Sequence, residues 1–382
     1  MGDKLGLYLH IPFCRSKCDY CDFYSLAGQE VRMDSYQKAL LAHLKQAAPA
    51  ARCPVDTVYL GGGTPSLLGE KRLLALLAAV KKYYKVDRDA EITLEANPDS
   101  VSPKMLAKLR SGGFNRLSLG MQSALDGELR AVGRPHTAEQ TVQAVAAAQK
   151  AKFKNISLDL IYGLPGQTMD SWRVTLARAV DLGPQHLSCY GLKVEENTPL
   201  ARRAEAGEVL PDDDAQADLY LWTVDFLENA GFRQYEISNF AQNGFESRHN
   251  LRYWLTRPYL GFGPGAHSDF GGRRYACPRD LEGYLASVQA GSPAVEQEQA
   301  VSLEERAAEY LMLRLRTAAG IEEWEYRRSF FREFEPLERQ LEQYQSRGWA
   351  EKTALGRWRL TPGGFLVSNQ LIAALLEHQE QS

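Results

Sequence analysis

Through the first half of the chain, short apolar runs alternate with longer amphipathic ones. Six runs rich in aliphatic and β-branched residues read as strands, at 5–10 (LGLYLH), 56–62 (DTVYLGG), 91–97 (EITLEAN), 116–122 (RLSLGMQ), 155–163 (NISLDLIYG) and 186–194 (HLSCYGLKV). Between them apolar positions recur with a helical period near 34–48, 70–82, 103–111, 138–151 and 170–181, and a further helix is expected over 213–229. Thr137, followed by Glu139, Gln140 and an Ala/Val run, marks a capped helix start. Strict strand–helix alternation predicts a parallel sheet with right-handed crossovers. Six units fall short of the eight of a closed barrel. The expected fold class is therefore α/β, a partial (β/α)6 TIM-like barrel over residues 1–235.

Beyond 235 this rhythm stops. Residues 236–299 are rich in glycine and aromatics (YWLTRPYLGFGPGAHSDFGGRRYA), and read as an irregular connecting segment that carries functional loops. From 300 a helical pattern resumes, with Ser302 and Glu305 placed as a capping box. The stretch LEQYQSRGWAEKTALGRWRLTPGGFLVSNQLIAALL then reads helix, short hairpin, helix. That order predicts a mainly helical, winged-helix-like domain over 300–382, with a packing role expected ahead of DNA binding.

Composition narrows the picture. At 382 residues the chain suits one large domain and a smaller one. With 44% hydrophobic and 24% charged residues and a net charge of −3, it has no broadly basic surface, so no nucleic-acid partner is expected. No run of 18 apolar residues exists to span a bilayer, and MGDKLGLYLHIPFC does not read as a secretory signal. Of six cysteines, three fall within Cys14–Cys21 and Cys53, Cys189 and Cys277 are scattered. That usage suits a reducing cytoplasm and a metal site better than a disulfide framework.

Cys14, Cys18 and Cys21 form a C-x3-C-x2-C array on the loop after the first strand. A structural zinc site would need a fourth ligand, for which His10 is the nearest candidate. Three thiolates can instead hold three irons of a [4Fe–4S] cluster and leave the fourth open, and this is the stronger reading. The glycines of GGGTPS (61–66) allow a backbone to approach a ligand closely. Glu95, Gln122 and Asp159 stand in or at the ends of strands three to five, where barrel sites form. Each could instead be satisfied by local donors. Arg134 in VGRPHT has the planar fork that suits a carboxylate, and its competing reading is a solvated loop arginine.

These motifs together resemble the radical SAM superfamily, and Tyr20 before the last cysteine also fits that pattern. The resemblance implies a [4Fe–4S] cluster on Cys14, Cys18 and Cys21, with S-adenosylmethionine on the open iron. By the same resemblance Tyr8, Gly62, Gly63, Thr64, Glu95 and Arg134 would surround the methionine moiety, and Gln122 and Asp159 would bind the ribose. Within the superfamily, YLHIPFC, YLGGGTPS, LGMQS, DLIYGLPGQT and the C-terminal module resemble the oxygen-independent coproporphyrinogen oxidase-like group over nearly the whole chain. Oxidases of that group carry a further cysteine two positions after the third, where this chain has Phe23, and a long extension before the first. Both departures point to the HemW-type haem chaperones.

HNLRYW (249–254) matches the H-N-x-x-Y-W motif of those chaperones. His249 offers an imidazole, Tyr253 and Trp254 flat apolar surface, and with Asn250 they are the candidate haem contacts. From the residues alone, an aromatic packing cluster with a hydrogen-bonded histidine is the favoured reading, and the resemblance tips it toward haem contact. His267 is a second, more structural candidate. The resemblance therefore implies a cytoplasmic haem chaperone with haem as a third cofactor or cargo. Its implied partners are recipient haemoproteins, respiratory ones at the inner face of the membrane among them, with a reductant protein and a homodimer left open. The alternative is a coproporphyrinogen III oxidase acting by radical decarboxylation. The residues leave open whether S-adenosylmethionine is cleaved.

Overall fold

The structure, a computed structural model, describes residues 4–291 and 295–380. It divides into two compact units that interleave in sequence. The first takes the chain up to Leu219 and again Pro258–Gln299; the second takes Tyr220–Arg257 and the chain from Ala300 on.

In the first unit all six expected strands form: β1 (Leu5–Ile11), β2 (Val55–Gly62), β3 (Val86–Ala96), β4 (Arg116–Gln122), β5 (Ile156–Tyr162) and β6 (His186–Gly191). They pair in parallel in sequence order, β1 to β6. Each crossover carries helices: α1 (Met33–Ala47), α2 (Gly69–Tyr83), α3 (Pro103–Gly112), the short α4 (Asp126–Ala131), α5 (Ala138–Lys150) and α6 (Met169–Asp181); α7 (Pro199–Glu205) follows β6. The strands are buried on both faces, β4 along its whole length, as a parallel sheet covered by helices requires. Helix α1 shows the matching stripe, burying Met33, Tyr36, Leu40, His43 and Leu44.

The barrel is incomplete because β1 does not close onto β6. Its outer side instead pairs in parallel with β7 (Tyr259–Phe262), which continues antiparallel into β8 (His267–Phe270) and β9 (Arg273–Ala276). Residues 259–276, expected to be irregular, are thus a sheet extension. These strands are four residues each, too short for a period to register. The β7–β8 approach also needs glycine, since a Cβ on Gly261 would sit 2.1 Å from the His267 carbonyl oxygen.

The second unit holds the hairpin Arg233–Glu236/Asn239–Ala241, the helix Arg248–Trp254 and the C-terminal helices Leu303–Arg314, Glu323–Phe330, Glu335–Ser346 and Ser368–Glu380. The expected wing is present as the antiparallel pair Ala350–Lys352/Trp358–Leu360. Tyr310, Tyr326, Phe330 and Phe334 pack ring against ring, with centroids 5.4–6.0 Å apart, and Trp358 is fully buried. Among the described residues no helix is long and apolar enough to cross a membrane.

Both expected capping boxes form. Thr137 Oγ1 accepts the Gln140 N–H at 3.3 Å, and Gln140 Oε1 accepts the Thr137 N–H at 2.8 Å. Ser302 and Glu305 do the same for the helix Leu303–Arg314. Thr137→Ala should lower the unfolding free energy by about 1 kcal/mol, because the Gln140 N–H in the first turn of α5 loses its acceptor. Urea unfolding under anaerobic conditions measures this, and an unchanged midpoint would contradict it.

Candidate cofactor site

The site is built at the C-terminal edges of the barrel strands, and the cysteine loop is its lid. The loop leaves β1 through the fully buried Phe13, which pairs with Leu26 at the loop's other end. Asp19 ties its centre down: its N–H donates to the Val132 carbonyl at 3.1 Å and its carbonyl accepts the Leu200 N–H at 2.9 Å. Tyr20 packs on an apolar cluster of Val132, Ile161, Leu164, Leu192 and Leu200. This is the local reason an aromatic precedes the last cysteine.

Cys14, Cys18 and Cys21 are all free thiols and line one side of a cavity of about 470 Å³, within the range of small-molecule sites. Gly62, Gly63 and Thr64 line it from the turn after β2. Glu95, Gln122 and Asp159 reach it from β3, β4 and β5, and Arg134 from the loop after α4. Ten of the eleven residues expected for the cluster and its cofactor therefore meet in one place. The exception is Tyr8, which is not in the wall; its hydroxyl bonds His10 Nδ1 at 3.0 Å. His10 Nε2 in turn bonds the Tyr24 carbonyl at 3.0 Å, so this imidazole braces the loop with both nitrogens and is not poised as a fourth metal ligand. Among the described residues no three His, Cys, Asp or Glu side chains converge on a single ion. Three thiols facing one cavity without converging suit separate irons of a cluster better than one zinc.

The glycines are there because side chains would not fit. Gly62 has φ +111°, and a Cβ on it would meet the His10 ring at 2.6 Å. A Cβ on Gly63 would lie 2.7 Å from the Phe13 carbonyl oxygen and 3.1 Å from Cys14 Sγ. The turn is a cradle of bare backbone directly beside a thiol.

The acidic groups are held differently from one another. Glu95 accepts the Tyr59 hydroxyl at 2.6 Å and the Gly62 N–H at 3.0 Å. Burial, with the nearby Asp159 charge, pushes its carboxyl up to about 7, against the pull of the Tyr59 bond. Asp159 accepts from three serine hydroxyls on three strands: Ser118 at 3.0 Å, Ser188 at 2.8 Å and Ser157 at 3.4 Å. Burial raises its pKa, and these hydroxyls oppose the rise. In place of local backbone donors Asp159 has side chains: Ser157 two residues away on β5, and Ser118 and Ser188 one strand away on either side, which spacing along the chain does not reveal.

Gln122 adopts φ +62°, at an irregularity where the β4–β5 register shifts between Gly120 and Gln122. A non-glycine residue in the left-handed region stores strain, and such strain collects at sites. Gly120 makes room, because a Cβ there would lie 2.9 Å from both Arg134 Nη2 and Gln122 Nε2. Arg134 is not a solvated loop arginine. It donates to Asn97 Oδ1 at 2.7 Å, to the Gly120 carbonyl at 3.0 Å and to Cys18 Sγ at 3.5 Å. Its Nε is buried with no hydrogen-bond partner among the described residues. Asn97 was missed by the reading of the sequence; its one signal is its place two residues after Glu95, before Pro98, at the strand end. A soft thiol set, a bare-backbone cradle, a spare guanidinium donor and two buried carboxyls fit a cluster with a zwitterionic nucleoside ligand.

The HNLRYW stretch lies in the second unit, on the helix Arg248–Trp254, whose N-cap Ser247 accepts the Asn250 N–H at 3.3 Å. His249 is 1% exposed, and its Nε2 lies 2.8 Å from the Tyr253 hydroxyl with the rings perpendicular. Asn250, Tyr253 and Trp254 are half-buried. As folded, this imidazole is packed and engaged. His267 is exposed on β8.

Glu95 makes stability depend on pH with a definite sign. The folded carboxyl keeps its proton to about pH 7, whereas the ordinary value is 4.5. Between these the folded state binds more protons, so stability falls as pH rises. Glu95→Gln removes that slope. The variant should gain on the cofactor-free wild type from pH 4.5 to 7, by on the order of a few kcal/mol, and hold a constant offset above. Paired unfolding curves across this range test it; parallel wild-type and variant profiles would contradict it. Any loss from the altered Gly62 bond is independent of pH and leaves the slope readable.

Comparison with known proteins agrees with this geometry. Residues 8–179 match the Radical SAM superfamily and residues 301–367 the HemN C-terminal domain. The chain is 39% identical over 325 residues to the heme chaperone HemW of Mycobacterium tuberculosis (strain ATCC 25618 / H37Rv), covering 84% of this chain and 83% of that protein. It is 34% identical over 373 residues to the heme chaperone HemW of Bacillus subtilis (strain 168), covering 97% and 98%. For that of Escherichia coli (strain K12) the identity is 35% over 379 residues, again covering 97% and 98%. Among solved structures the fold is similar to the coproporphyrinogen III oxidase HemN from Escherichia coli, a radical SAM enzyme. The TM-score is 0.85 at 24% identity, over 98% of this chain and 90% of that one, a likeness of fold. Identity of this order, sustained over nearly the whole chain, makes it a member of the HemW family within the radical SAM superfamily.

Proposed function

We propose that this protein is a haem chaperone, which binds haem and passes it to apo-haemoproteins from a radical SAM scaffold. The observation that carries the reading is its similarity, nearly end to end, to proteins named as heme chaperones. Phe23 supports it. This residue is 64% exposed at the cavity wall, so the position where the resembled oxidases carry a further cysteine presents an apolar ring.

In this reading Cys14, Cys18 and Cys21 each ligate one iron of a [4Fe–4S] cluster, and the fourth iron takes the amino and carboxylate groups of S-adenosylmethionine. When bound, the pair supplies one-electron chemistry that the protein itself lacks. The chain's part is to bind and orient. Arg134 clamps the carboxylate with its spare N–H, and Gly62, Gly63, Thr64 and Glu95 hold the amino end. Gln122 and Asp159 take the ribose hydroxyls, while Tyr8 contributes by fixing His10. Haem contacts His249, Asn250, Tyr253 and Trp254; for His249 to ligate iron, its Nε2 must exchange the Tyr253 hydroxyl for the metal. The recipients are respiratory haemoproteins at the inner face of the cytoplasmic membrane, with a protein reductant serving the cluster and a homodimer as the assembly.

Haem titration tests the cargo site. Tyr253→Phe removes the bond to the imidazole Nε2 and should bind haem at least as tightly as wild type, whereas His249→Ala should shift the Soret band and weaken binding about tenfold, the order of one good interaction. Identical spectra and affinities in all three would remove His249 as ligand. The function itself is tested by mixing haem-loaded protein with an apo-haemoprotein, and transfer into the acceptor's spectrum is expected. Catalytic formation of protoporphyrinogen from coproporphyrinogen III, given S-adenosylmethionine and a reductant, would overturn the chaperone reading in favour of the oxidase.

A further inference from the structure

Two of the three thiols are joined by a continuous chain of hydrogen bonds that runs along the cavity wall. Cys14 Sγ lies 3.6 Å from Thr64 Oγ1. Thr64 Oγ1 accepts from Asn97 Nδ2 at 3.2 Å. Asn97 Oδ1 accepts from Arg134 Nη2 at 2.7 Å, and Arg134 Nη1 donates to Cys18 Sγ at 3.5 Å. The third thiol, Cys21, takes its donor locally, from the Phe23 backbone N–H.

The order of donors in this chain is forced. Asn97 offers two amide hydrogens and one carbonyl oxygen. Arg134 has no acceptor atom, so Oδ1 must face it and Nδ2 must face Thr64. With its oxygen occupied by that amide donor, the Thr64 hydroxyl has its hydrogen free to point at Cys14. Asn97 thus aims a hydroxyl at one sulfur and a guanidinium at another. Its backbone is separately engaged: the Asn97 N–H donates to Ser100 Oγ at 3.1 Å and its carbonyl accepts the Ser100 N–H at 2.9 Å. The strand end is thus also held by backbone bonds, and the carboxamide bridges Thr64 and Arg134. Gly120 keeps the space open, since a Cβ there would come within 3.3 Å of Asn97 Oδ1 as well as crowding Arg134.

We infer that Asn97 is a positioning residue which orients the Thr64 hydroxyl and the Arg134 guanidinium onto the Cys14 and Cys18 sulfurs, and so sets the reduction potential of the cluster those cysteines hold. Hydrogen bonds to cluster sulfur draw off electron density and favour the reduced, more negative state, so each donor raises the potential. Arg134 adds a full positive charge beside it. The Arg134 side chain also lines the cavity. A carboxylate arriving there competes with Cys18 for the same cation, which couples ligand binding to the electron affinity of the cluster. The inference rests on the cluster assignment made above and is independent of haem transfer.

The test is the midpoint potential of the anaerobically reconstituted full-length protein, followed by EPR, with iron and sulfide matched between variants. Asn97→Ala should lower the potential, because both donors lose their guide. Thr64→Val should lower it less, and Thr64→Ser, which keeps the hydroxyl, should return it to the wild-type value. In the double variant Asn97→Ala/Thr64→Val the potential should stay where Asn97→Ala alone puts it, since the threonine arm is already released. Unchanged potentials in loaded Asn97→Ala, or full additivity in the double variant, would overturn the inference. If Asn97→Ala takes up no cluster, the threonine pair decides: equal potentials in Thr64→Val and wild type would overturn it. A wild type that holds no iron or sulfide would instead sink the cluster assignment itself, and the two failures are thereby distinct.

Discussion

The Arg203 guanidinium on α7 donates to Asp19 Oδ2 at 2.7 Å, to the Ala131 carbonyl at 2.8 Å and, through its other nitrogen, to Glu208 at 2.6 Å. It thus joins the cysteine loop, the end of α4 and the chain after α7 at one point. Such a pair standing alone and partly exposed would contribute little. Here it belongs to a set with the Asp19 backbone bonds to Val132 and Leu200, which pin the same loop residue from both faces. Because Cys18 precedes Asp19 and Arg134 follows Val132 by two, this one anchorage also fixes the guanidinium against the Cys18 sulfur. The other end of the loop is held by Phe13 against Leu26 and by His10 against Tyr24. Three soft thiols are thereby kept facing one cavity.

A second constraint comes from the barrel. Parallel strands buried on both faces leave no water for polar groups, so every acid placed among them must be supplied with donors. The chain does this mostly with neighbours on adjacent strands: Tyr59 and Gly62 for Glu95, and Ser118 and Ser188 for Asp159, joined by Ser157 on its own strand. The result is a polar floor beneath the thiols whose geometry is set before any ligand arrives. Preorganisation of this kind is what lets a site hold a reactive group in one orientation.

Much of this was legible in the sequence, and the exceptions have physical reasons. The six strands and their crossover helices could be read because each is long enough to show its period and bounded by turn or capping residues. The cysteine spacing and the glycine run carry chemistry in local order, so they too could be read. What escaped was non-local or short. Strands of four residues around Gly261 show no period. Two of the three serines that satisfy Asp159, Ser118 and Ser188, sit one strand away on either side. Asn97 gives no sign that its carboxamide links two cysteine ligands until the β2 turn and the α4 loop are brought together. For His249, motif resemblance gives the residue, but only the fold reveals that Tyr253 already occupies its ring nitrogen.

The central claim is that three thiols held apart by this anchorage leave one metal position open to a ligand from the cavity. The most direct measurement is iron and sulfide analysis of the anaerobically reconstituted protein, with EPR of the reduced state before and after S-adenosylmethionine. The account predicts a full [4Fe–4S] complement per chain and a spectrum that changes when the ligand is added. A colourless zinc protein, or a cluster whose spectrum is indifferent to S-adenosylmethionine, would contradict it.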